Sequence, residues 1–579
     1  MKMRKKKHSA VVAMIMISVC LLGSYSCNSK KSMEKDIPTI RKSVVLFDSF
    51  KYKGEDDYYN ENPLPDNNSF YNPILPGWYS DPSICTNGED YFLVTSTFTY
   101  YPGVPIFHSK DLLNWKQIGH VLDRPSQLVN MQGQGVSGGI FAPAISYNPH
   151  NKTYYMITTN VGAGNFFVKT QNPFGEWSEP IMLPEVGGID PSFFFDENGK
   201  AYIVNNDDAP NNKPEYSGHR TIRIQEFDVE NDKTVGPRKI LVDKGSRPED
   251  KPIWIEGPHL YKINGKYILM SAEGGTGNWH SEVIFHGDTP MGKFTPWVKN
   301  PILTQRQLNP ERSNPITCAG HADLVQAKEG DWWAVFLACR PINNKFENLG
   351  RETFIMPVKW SEDGFPYMTQ GEDLIPMIVK REGVKRDSVV TFGNFEINET
   401  FESTTLGLDW MTLRAPGTEL YSLTETPGYL TLKSINVSSK EKKTPAFVCR
   451  RIQHHKFECC TRMLFNPSDE KEKSGMLLFK DETHQYFLYV NNVGSQKCVI
   501  VERLGQEGED RVLASQNIDK DTNIIDLKVI SRGATFDFYY ATKANEWKNL
   551  CKNVDANYLS TSTAGGFTGT TIGIYSVTQ

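Results

Sequence analysis

A short hairpin pattern recurs five times in the first part of the chain. In each copy a Gly or Asn turn leads into an aromatic residue and an apolar, β-branched run, as in paired strands. The copies are residues 88–94, 151–157, 199–204, 265–270 and 330–336. Their anchor aromatics, spaced by 63, 48, 65 and 65 residues, are Tyr91, Tyr154, Tyr202, Tyr267 and Trp332. This period predicts an all-β fold with a five-bladed β-propeller over residues 70–380, unless the hairpins belong to unrelated sandwiches.

The remainder of the chain shows further alternating segments, which predict a second domain. Residues 429–432, 476–479, 486–490 and 536–540 have the pattern of strands in a β-sandwich. We expect this sandwich to span residues 399–579. The charged, Pro-containing stretch 381–398 before it predicts an interdomain linker.

The N-terminus has the pattern of an export signal. Five basic residues within residues 2–7 precede an apolar stretch at residues 11–22, which is too short to cross a bilayer. Small residues then lead to Cys27, whose position resembles the lipidated cysteine of bacterial lipoproteins. Residues 1–27 therefore predict export, with Cys27 as a lipid anchor in the periplasm or at the cell surface. The polar residues 28–69 predict a tether.

Composition narrows the classes of function. Hydrophobic residues make up 39% and charged residues 23% of the chain, with Gly 45 and Pro 34, which excludes a coiled coil, a collagen and a multispanning membrane protein. The formal net charge of −5 gives no support to nucleic-acid binding. The cysteines beyond Cys27 lack the CxxC spacing of zinc sites and predict buried small side chains, with one disulfide as the open alternative.

The strands that enter the five hairpins carry the candidate chemistry. They begin at Asp81-Pro82, Ala142-Pro143, Asp190-Pro191, Glu256-Gly257 and Gly320-His321. Because equivalent positions of propeller blades lie on a ring, Asp81, Asp190 and Glu256 should converge at one mouth, with His321 nearby. A single Asp-Pro pair would indicate only a turn. Three converging carboxyl groups repel one another and lose hydration, and this cost indicates a function.

Paired carboxyl groups are the chemistry of glycoside hydrolysis. One is kept protonated to donate to the leaving oxygen, and the other is ionised to act as base or nucleophile. A third acid can raise the pKa of the donor. Aromatic side chains offer apolar platforms for sugar rings, and Arg or His can bind hydroxyl groups. Phe98, Phe141 and Arg340 stand near the predicted ring in the sequence.

Ordered motifs from residue 72 onward resemble glycoside hydrolase family 43, in its two-domain β-xylosidase and α-L-arabinofuranosidase branch. The motifs are residues 72–84, 96–104, 108–115, 138–143, 188–192, 256–261 and 350–353. The resemblance extends from about residue 70 to the C-terminus. It implies a five-bladed propeller, a lectin-like sandwich and single-displacement hydrolysis with inversion.

The resemblance also implies roles for individual residues. Asp81 matches the general base that activates water, Glu256 matches the general acid, and Asp190 matches the acid that orients Glu256 and raises its pKa. The positions that line the nonreducing-end sugar pocket are matched by Phe98, His321 and Arg340.

Three further positions bear on what the site binds. His321 matches a histidine that, in some members, helps to hold a hydrated calcium ion, although we expect no cofactor to be required. The alternative to a binding role for His321 is a buried structural histidine. Phe141 stands where the family often has Trp, which leaves the preference between xylose and arabinose open. The Gly-rich segment 565–569 matches a loop that closes the active-site mouth, so Phe567 is either a subsite residue or a core side chain in a turn.

The sequence as a whole predicts an exported, exo-acting glycoside hydrolase that releases β-D-xylose from the nonreducing ends of xylo-oligosaccharides. An α-L-arabinofuranosidase, or an enzyme with both activities, is the alternative within the same class. A non-catalytic glycan-binding surface protein is the alternative from another class. The expected partner is an oligosaccharide, with no nucleic acid, and with the membrane only through the anchor.

Overall fold

The computed structural model describes residues 38–39 and 41–579, and this part of the chain is almost wholly β-structure. Its helices are the α-helices Asp57–Glu61 and Thr561–Ala564 and the 3-10 helices Pro125–Gln127, Pro210–Asn212, Pro248–Asp250 and Ala556–Leu559. In the described ranges no helix has the length and apolar character needed to span a membrane. The predicted export signal and Cys27 lie outside the described residues.

Five consecutive antiparallel sheets, named I to V in chain order, form the first domain. Sheets I and II consist of Ser83–Thr86, Tyr91–Val94, Gly103–Ser109 and Lys116–Leu122, and of Ile140–Asn148, Thr153–Asn160, Gly164–Thr170 and Ile181–Met182. Sheets III and IV consist of Ile189–Phe195, Ala201–Asp208, Arg220–Asp228 and Lys233–Asp243, and of Glu256–Ile263, Lys266–Glu273, Ser281–Gly287 and Thr295–Pro296. Sheet V consists of Thr317–Gln326, Trp332–Cys339 and Glu352–Pro357.

The five predicted hairpins are present. Each anchor aromatic is the first or second residue of the second strand in its sheet, and the four tyrosines among them are buried. Their burial fits the pattern that identified them, since an aromatic residue at the start of a strand covers apolar surface at the sheet edge.

Each sheet packs against the next through a shared hydrophobic cluster. A fifth cluster, which contains Tyr91 of sheet I and Trp333 of sheet V, joins the last sheet to the first. The first strands of consecutive sheets also contact one another, and Thr317–Gln326 of sheet V contacts Ser83–Thr86 of sheet I. The five sheets are therefore packed in a cyclic order, and the ends of their first strands lie close together.

Two further antiparallel sheets form the second domain. The first has the strand order Tyr421–Ser422, Leu430–Lys433, Val44–Gly54, Lys456–Leu464, Ile524–Arg532, Thr535–Ala541 and Lys548–Asp555, with Glu396–Glu399 also paired to Val44–Gly54. The second has the order Ala446–Arg451, Thr571–Thr578, Glu472–Asp481, His484–Val493, Gln496–Leu504 and Arg511–Ile518. One large cluster of buried side chains, including Val45, Leu488 and Phe538, joins the two sheets.

The described residues also contain three short two-stranded sheets. Ser69–Tyr71 pairs with Ile378–Lys380, Lys359–Trp360 pairs with Pro366–Tyr367, and Tyr100–Tyr101 pairs with Thr412–Leu413. The last of these links the two domains directly. All eight cysteines of the described residues are free thiols, and six of them are buried.

The predicted tether over residues 28–69 is wrong from Val44 onward. Val44–Gly54 is an inner strand of the second domain, and Phe47 and Phe50 are fully buried there, which stabilises the fold by roughly 1.5–3 kcal/mol per side chain. A register shift between Phe47 and Ser49 interrupts the alternation of apolar residues, so the sequence does not show the regular pattern by which a strand is recognised. The predicted linker is also structured, since Phe392 packs on Phe70.

Candidate active site

The candidate active site is a cavity of about 270 Å³ where the first strands of the five sheets begin. Every predicted substrate-binding or catalytic residue except Arg340 lines it: Asp81, Phe98, Phe141, Asp190, Glu256, His321 and Phe567. The rest of the lining consists of Ala142, Ile189, Trp254, Gly275, Thr276 and Arg351. The fold therefore brings together residues that are up to 486 positions apart in the sequence, from Asp81 to Phe567.

A repeated backbone irregularity directs the polar side chains into this cavity. The strand pairing shifts register just after Glu256, between Ile189 and Ser192, and between Gly320 and Asp323. Asp81, Asp190 and His321 themselves have left-handed backbone conformations, with φ of 53°, 52° and 53°. Bulges of this kind turn a side chain away from the normal alternation of a sheet, and the strain they store is common at functional sites.

Asp81 is held as a carboxylate. Its Oδ2 accepts a hydrogen bond of 2.6 Å from Ser96 Oγ, and its Oδ1 lies 3.0 Å from Nη1 of Arg351. Burial by itself would raise the pKa of Asp81, but the positive charges of Arg351 and His321 and the Ser96 hydrogen bond outweigh it, so the pKa is lowered from its usual 3.8. An ionised carboxylate at this position can accept a proton from water.

Glu256 has the opposite electrostatic environment. Burial and the negative charge of Asp190, with a smaller contribution from Asp81, raise the pKa of Glu256 to about 8. Within the described part of the chain, no group donates a hydrogen bond to the Glu256 carboxyl, which faces the cavity. A carboxylic acid that remains protonated at neutral pH and is free to meet a ligand can act as a proton donor.

Asp190 and His321 form a contact beside Glu256. Nε2 of His321 lies 3.6 Å from Oδ2 of Asp190, and the same oxygen accepts a hydrogen bond of 3.2 Å from the backbone N–H of Gly257. Burial would lower the pKa of His321, but its interaction with Asp190 and the nearby carboxylates raise it to about 9. Gly257 has a φ of +55°, and a Cβ there would lie 2.8 Å from the His321 ring, so only glycine fits.

Three aromatic rings from both domains form one wall of the cavity. The ring centroids of Phe98 and Phe141 are 5.7 Å apart, and Phe567 of the second domain lies 6.2 Å from Phe98 and 5.6 Å from Phe141. The guanidinium of Arg351 stands 5.4 Å from the centroid of Phe567. Such an arrangement offers apolar faces beside polar groups, as sugar recognition requires.

The prediction that Arg340 binds substrate is wrong. Its Nε and Nη2 donate hydrogen bonds of 2.7 and 2.8 Å to the two carboxylate oxygens of Glu352, and its Nη1 donates one of 3.1 Å to the hydroxyl of Tyr59. Arg340 lines a different cavity, near Asp56 and His455. Because its guanidinium donates hydrogen bonds to Glu352 and Tyr59, Arg340 is part of the protein framework.

Sequence reasoning missed Arg351, which occupies the position expected of Arg340. It lies in the segment 350–353, one of the motifs that resemble the family, and this motif could have indicated Arg351 as a site residue. By itself, however, an Arg next to the start of a strand is not distinctive. Ser96, the hydrogen-bond donor to Asp81, likewise lies in one of these motifs, residues 96–104, but was not predicted to be a site residue. Both act by contacts across the fold, which local pattern does not reveal.

The described residues do not fit a directly ligated metal. Among them, no group of three or more His, Cys, Asp and Glu side chains is arranged to hold an ion. His321 Nδ1 is buried without a hydrogen-bond partner, and it is a single nitrogen rather than a set of oxygen ligands such as calcium prefers. The reaction that we propose below takes no step through a metal ion.

Comparisons with known proteins agree with this chemistry. A model of glycosyl hydrolases family 43 matches residues 70–366, and a model of the beta xylosidase C-terminal Concanavalin A-like domain matches residues 398–579. A Bacteroides ovatus protein named non-reducing end alpha-L-arabinofuranosidase BoGH43B is 36% identical over 524 residues, which are 88% of this chain and 91% of that protein. A Butyrivibrio fibrisolvens protein named xylosidase/arabinosidase is 39% identical over 520 residues, 87% of this chain and 95% of that protein.

Solved structures show the same similarity over both domains. A crystal structure of a GH43_12 protein retrieved from capybara gut metagenome has a TM-score of 0.86 and 42% identity, and the match covers 93% of this chain and 100% of that one. The xylan beta-1,4-xylosidase from Bacillus halodurans C-125 has a TM-score of 0.79 and 31% identity over 88% of this chain and 97% of that one. On this evidence the protein is a two-domain glycoside hydrolase that belongs to glycosyl hydrolases family 43.

Proposed function

We propose that the protein is an exo-acting, inverting glycosidase that releases β-D-xylose from the nonreducing ends of xylo-oligosaccharides. The observation that carries this proposal is the presence in one cavity of two acids with opposite pKa shifts. The pKa of Glu256 is raised to about 8, and that of Asp81 is lowered. At neutral pH the first can give a proton and the second can take one, as hydrolysis of a glycosidic bond requires, and inversion is what the membership of family 43 implies.

The mechanism assigns one role to each acid. Glu256 protonates the glycosidic oxygen while its bond to the anomeric carbon breaks. Asp81 takes a proton from a water molecule, which attacks the anomeric carbon from the opposite face and inverts its configuration. The negative charge of Asp190 keeps Glu256 protonated until the leaving oxygen arrives. Each turnover consumes one water, and the cycle closes when Glu256 regains a proton and Asp81 loses one to solvent.

Arg351 and His321 supply charge and hydrogen-bond donors to the bound sugar. With Glu256 protonated and His321 charged, two cations face the carboxylates of Asp81 and Asp190, so the site is close to neutral before substrate enters. The pKa of His321, raised to about 9, keeps the imidazole protonated at the pH where Glu256 acts. A neutral sugar can then bind without the cost of an uncompensated buried charge.

Exo action is supported by the small size of the cavity and by the loop of the second domain that borders it. Phe567 reaches it from the second domain, and the volume of about 270 Å³ is small for a ligand pocket. This space suits one sugar residue rather than a passing polysaccharide chain. Cleavage would therefore remove terminal residues one at a time.

The choice of pentose rests on the relatives. Those of Bacteroides ovatus and Butyrivibrio fibrisolvens are named for arabinofuranosidase and for xylosidase/arabinosidase activity, and the Bacillus halodurans enzyme is named a xylan beta-1,4-xylosidase. An α-L-arabinofuranosidase activity, alone or beside β-xylosidase activity, is therefore the second candidate. Phe141, which lines the sugar site, is the position at which we expect the two substrates to be distinguished.

We also propose that the five sheets are the blades of a β-propeller whose axis passes through the active site. Their cyclic packing and the meeting of their first strands support this arrangement. It explains why Asp81, Asp190 and Glu256, from three different sheets, reach one cavity.

For the N-terminal segment we propose export and lipid attachment at Cys27, in the periplasm or at the cell surface. The support is the sequence pattern of basic residues, a short apolar stretch and a cysteine. Metabolic labelling with a radioactive fatty acid should label the full chain in a bacterial host, and Cys27→Ala should abolish the label. Labelling that persists in the variant would contradict this proposal.

The test of the enzymatic proposal is hydrolysis of an aryl β-D-xyloside and an aryl α-L-arabinofuranoside side by side, with Glu256→Gln as the control. Turnover of the xyloside that is lost in the variant supports the main proposal, and turnover of the arabinofuranoside alone supports the second candidate. Failure to cleave either one would contradict both and favour a glycan-binding protein.

A further inference from the structure

The loop that carries Phe567 crosses from the second domain to the active site, and we call residues 561–569 the closing loop. On the side of the catalytic domain it is attached through Thr561 and Ser562, which bond to Lys345 and Glu347, and through Phe567. Ser562 Oγ donates a hydrogen bond of 2.7 Å to Oε2 of Glu347, and the backbone N–H of Phe567 donates one of 2.9 Å to Ser137 Oγ. The position of Phe567 therefore depends on how firmly the rest of the closing loop is held.

Lys480 holds the closing loop on the other side. It belongs to the strand Glu472–Asp481 of the second domain, and its side chain is almost completely buried. Its Nζ donates a hydrogen bond of 3.0 Å to Thr561 Oγ1 and a second to the backbone carbonyl of Thr568. These two acceptors stand near the two ends of the loop, so one ammonium group ties both ends together.

This ammonium group is costly, because no ion pair compensates it. In residues 38–39 and 41–579 no carboxylate lies within 4.0 Å of Nζ, and burial lowers the pKa of Lys480 to about 8 against the opposing effect of Asp481 and Glu347. A buried charge without a counter-ion destabilises a fold by several kcal/mol unless its hydrogen bonds are satisfied. The side-chain hydrogen bonds of Lys480 are both to the closing loop.

We propose that Lys480 is a positioning residue for the glycosidase reaction, which holds Phe567 in place by joining the two ends of the closing loop. Lys480 does not line the sugar cavity; it acts through the loop. The inference rests on the proposed function, in which Phe567 forms part of the sugar site.

The structure offers a matched control in Lys497. It lies in the same sheet, on the strand Gln496–Leu504, is equally buried, and has a pKa that is also lowered to about 8 by burial. Its Nζ has four acceptors, which include Asn466 Oδ1 at 3.0 Å and the carbonyl of Thr522 at 2.7 Å, and none of the four belongs to the closing loop. Both Lys480→Met and Lys497→Met should lower thermal stability, and Lys497→Met should do so at least as much, because four acceptors lose their donor there and two lose it at Lys480.

Only one of the two variants should change catalysis. Lys480→Met should raise KM for the cleaved aryl pentoside about tenfold with kcat changed less than about twofold, because a loose loop must be ordered when substrate binds. Lys497→Met should leave both constants within about twofold of the wild type. In a Phe567→Ala background the effect of Lys480→Met on KM should disappear, since the lysine acts through that ring.

Hydrogen exchange tests the inference without substrate and so separates its failure from failure of the proposed function. Backbone amides of residues 561–569 should exchange at least about tenfold faster in Lys480→Met than in the wild type and in Lys497→Met. Should Lys480→Met not fold, Lys480→Gln, which keeps a neutral donor on a shorter side chain, should show the same acceleration to a smaller degree. Equal exchange in all variants, or equal KM for the two methionine variants, would overturn the proposal.

Discussion

Two buried arginines, eleven positions apart, have opposite surroundings, since Arg340 belongs to the framework and Arg351 lines the candidate active site. Arg340 and Arg351 are each 8% exposed, and each faces a carboxylate. Arg340 gives two parallel hydrogen bonds to Glu352 and a third to Tyr59. Arg351 makes one contact with Asp81, its Nε is without a hydrogen-bond partner, and it lines the cavity.

The same contrast holds for the acids that accompany them. Glu352 is fully buried and accepts hydrogen bonds from Arg340 and from the backbone of Gly77, so its oxygens are occupied. Glu256 has no such donors in the described chain and faces the cavity. A buried charged group whose hydrogen bonds are all satisfied within the protein stabilises the framework. A group that lacks such partners and faces a cavity is available to bind a ligand.

The largest expected effect comes from the open acid. Glu256→Gln should lower kcat for substrates with poor leaving groups about a thousandfold, because an amide cannot donate the proton that the leaving oxygen needs. Steady-state kinetics with a series of aryl glycosides checks this, and the loss should shrink as the leaving group becomes more acidic. A uniform loss across the series would mean that Glu256 is not the proton donor.

The arginine pair should divide activity from stability. Arg351→Ala should lower kcat/KM about a hundredfold, since it removes a charged donor beside Asp81. Arg340→Ala should lower the free energy of unfolding by about 3–5 kcal/mol, because Glu352 is left buried without its partner, while kcat/KM of the folded protein changes only a few-fold. Chemical denaturation and kinetics on the same preparations provide the two readouts, and the comparison fails if both variants lose activity equally.

The pH dependence should sharpen the distinction further. In the proposed mechanism Glu256 acts in its protonated form, so activity should be present below its pKa of about 8 and be lost as pH rises through that value. Asp81 acts in its ionised form, so the acid limb should lie below its usual pKa of 3.8. Arg351→Ala should move the acid limb to higher pH, because burial of Asp81 is then opposed by less positive charge, and Arg340→Ala should not move it.

The smallest effect concerns the aromatic wall. Phe141→Trp should narrow the sugar site and change the ratio of kcat/KM for the two aryl pentosides by about fivefold, since a change of shape in an apolar pocket discriminates weakly. A ratio that stays the same would show that Phe141 does not distinguish the two sugars.

The acids were predictable from the sequence because the fold repeats. Asp81, Asp190 and Glu256 stand at equivalent places before three of the five similar hairpins, so a single assumption about symmetry brings them together. Phe567 was indicated only by family resemblance, because no local pattern shows that a loop of the second domain reaches the first.

The different roles of Arg340 and Arg351 and the strand Val44–Gly54 could not be predicted from local sequence patterns. Arg340 and Arg351 are alike locally, and their difference depends on partners such as Tyr59 and Asp81, hundreds of residues earlier in the chain. The strand Val44–Gly54 has apolar alternation, but a bulge breaks its period and its pairing partner Lys456–Leu464 is about 400 residues away. Pairing over such a separation is decided by the complete core.

The most direct test of the central claim is the anomeric configuration of the first product. Proton NMR of a fresh reaction with an aryl β-D-xyloside should show α-D-xylose first, with the β-anomer appearing only as mutarotation proceeds, because water attacks opposite the leaving group. If an aryl α-L-arabinofuranoside is the substrate cleaved, β-L-arabinofuranose should appear first. A first product that keeps the configuration of the substrate would contradict the assignment of Asp81 as base and Glu256 as acid.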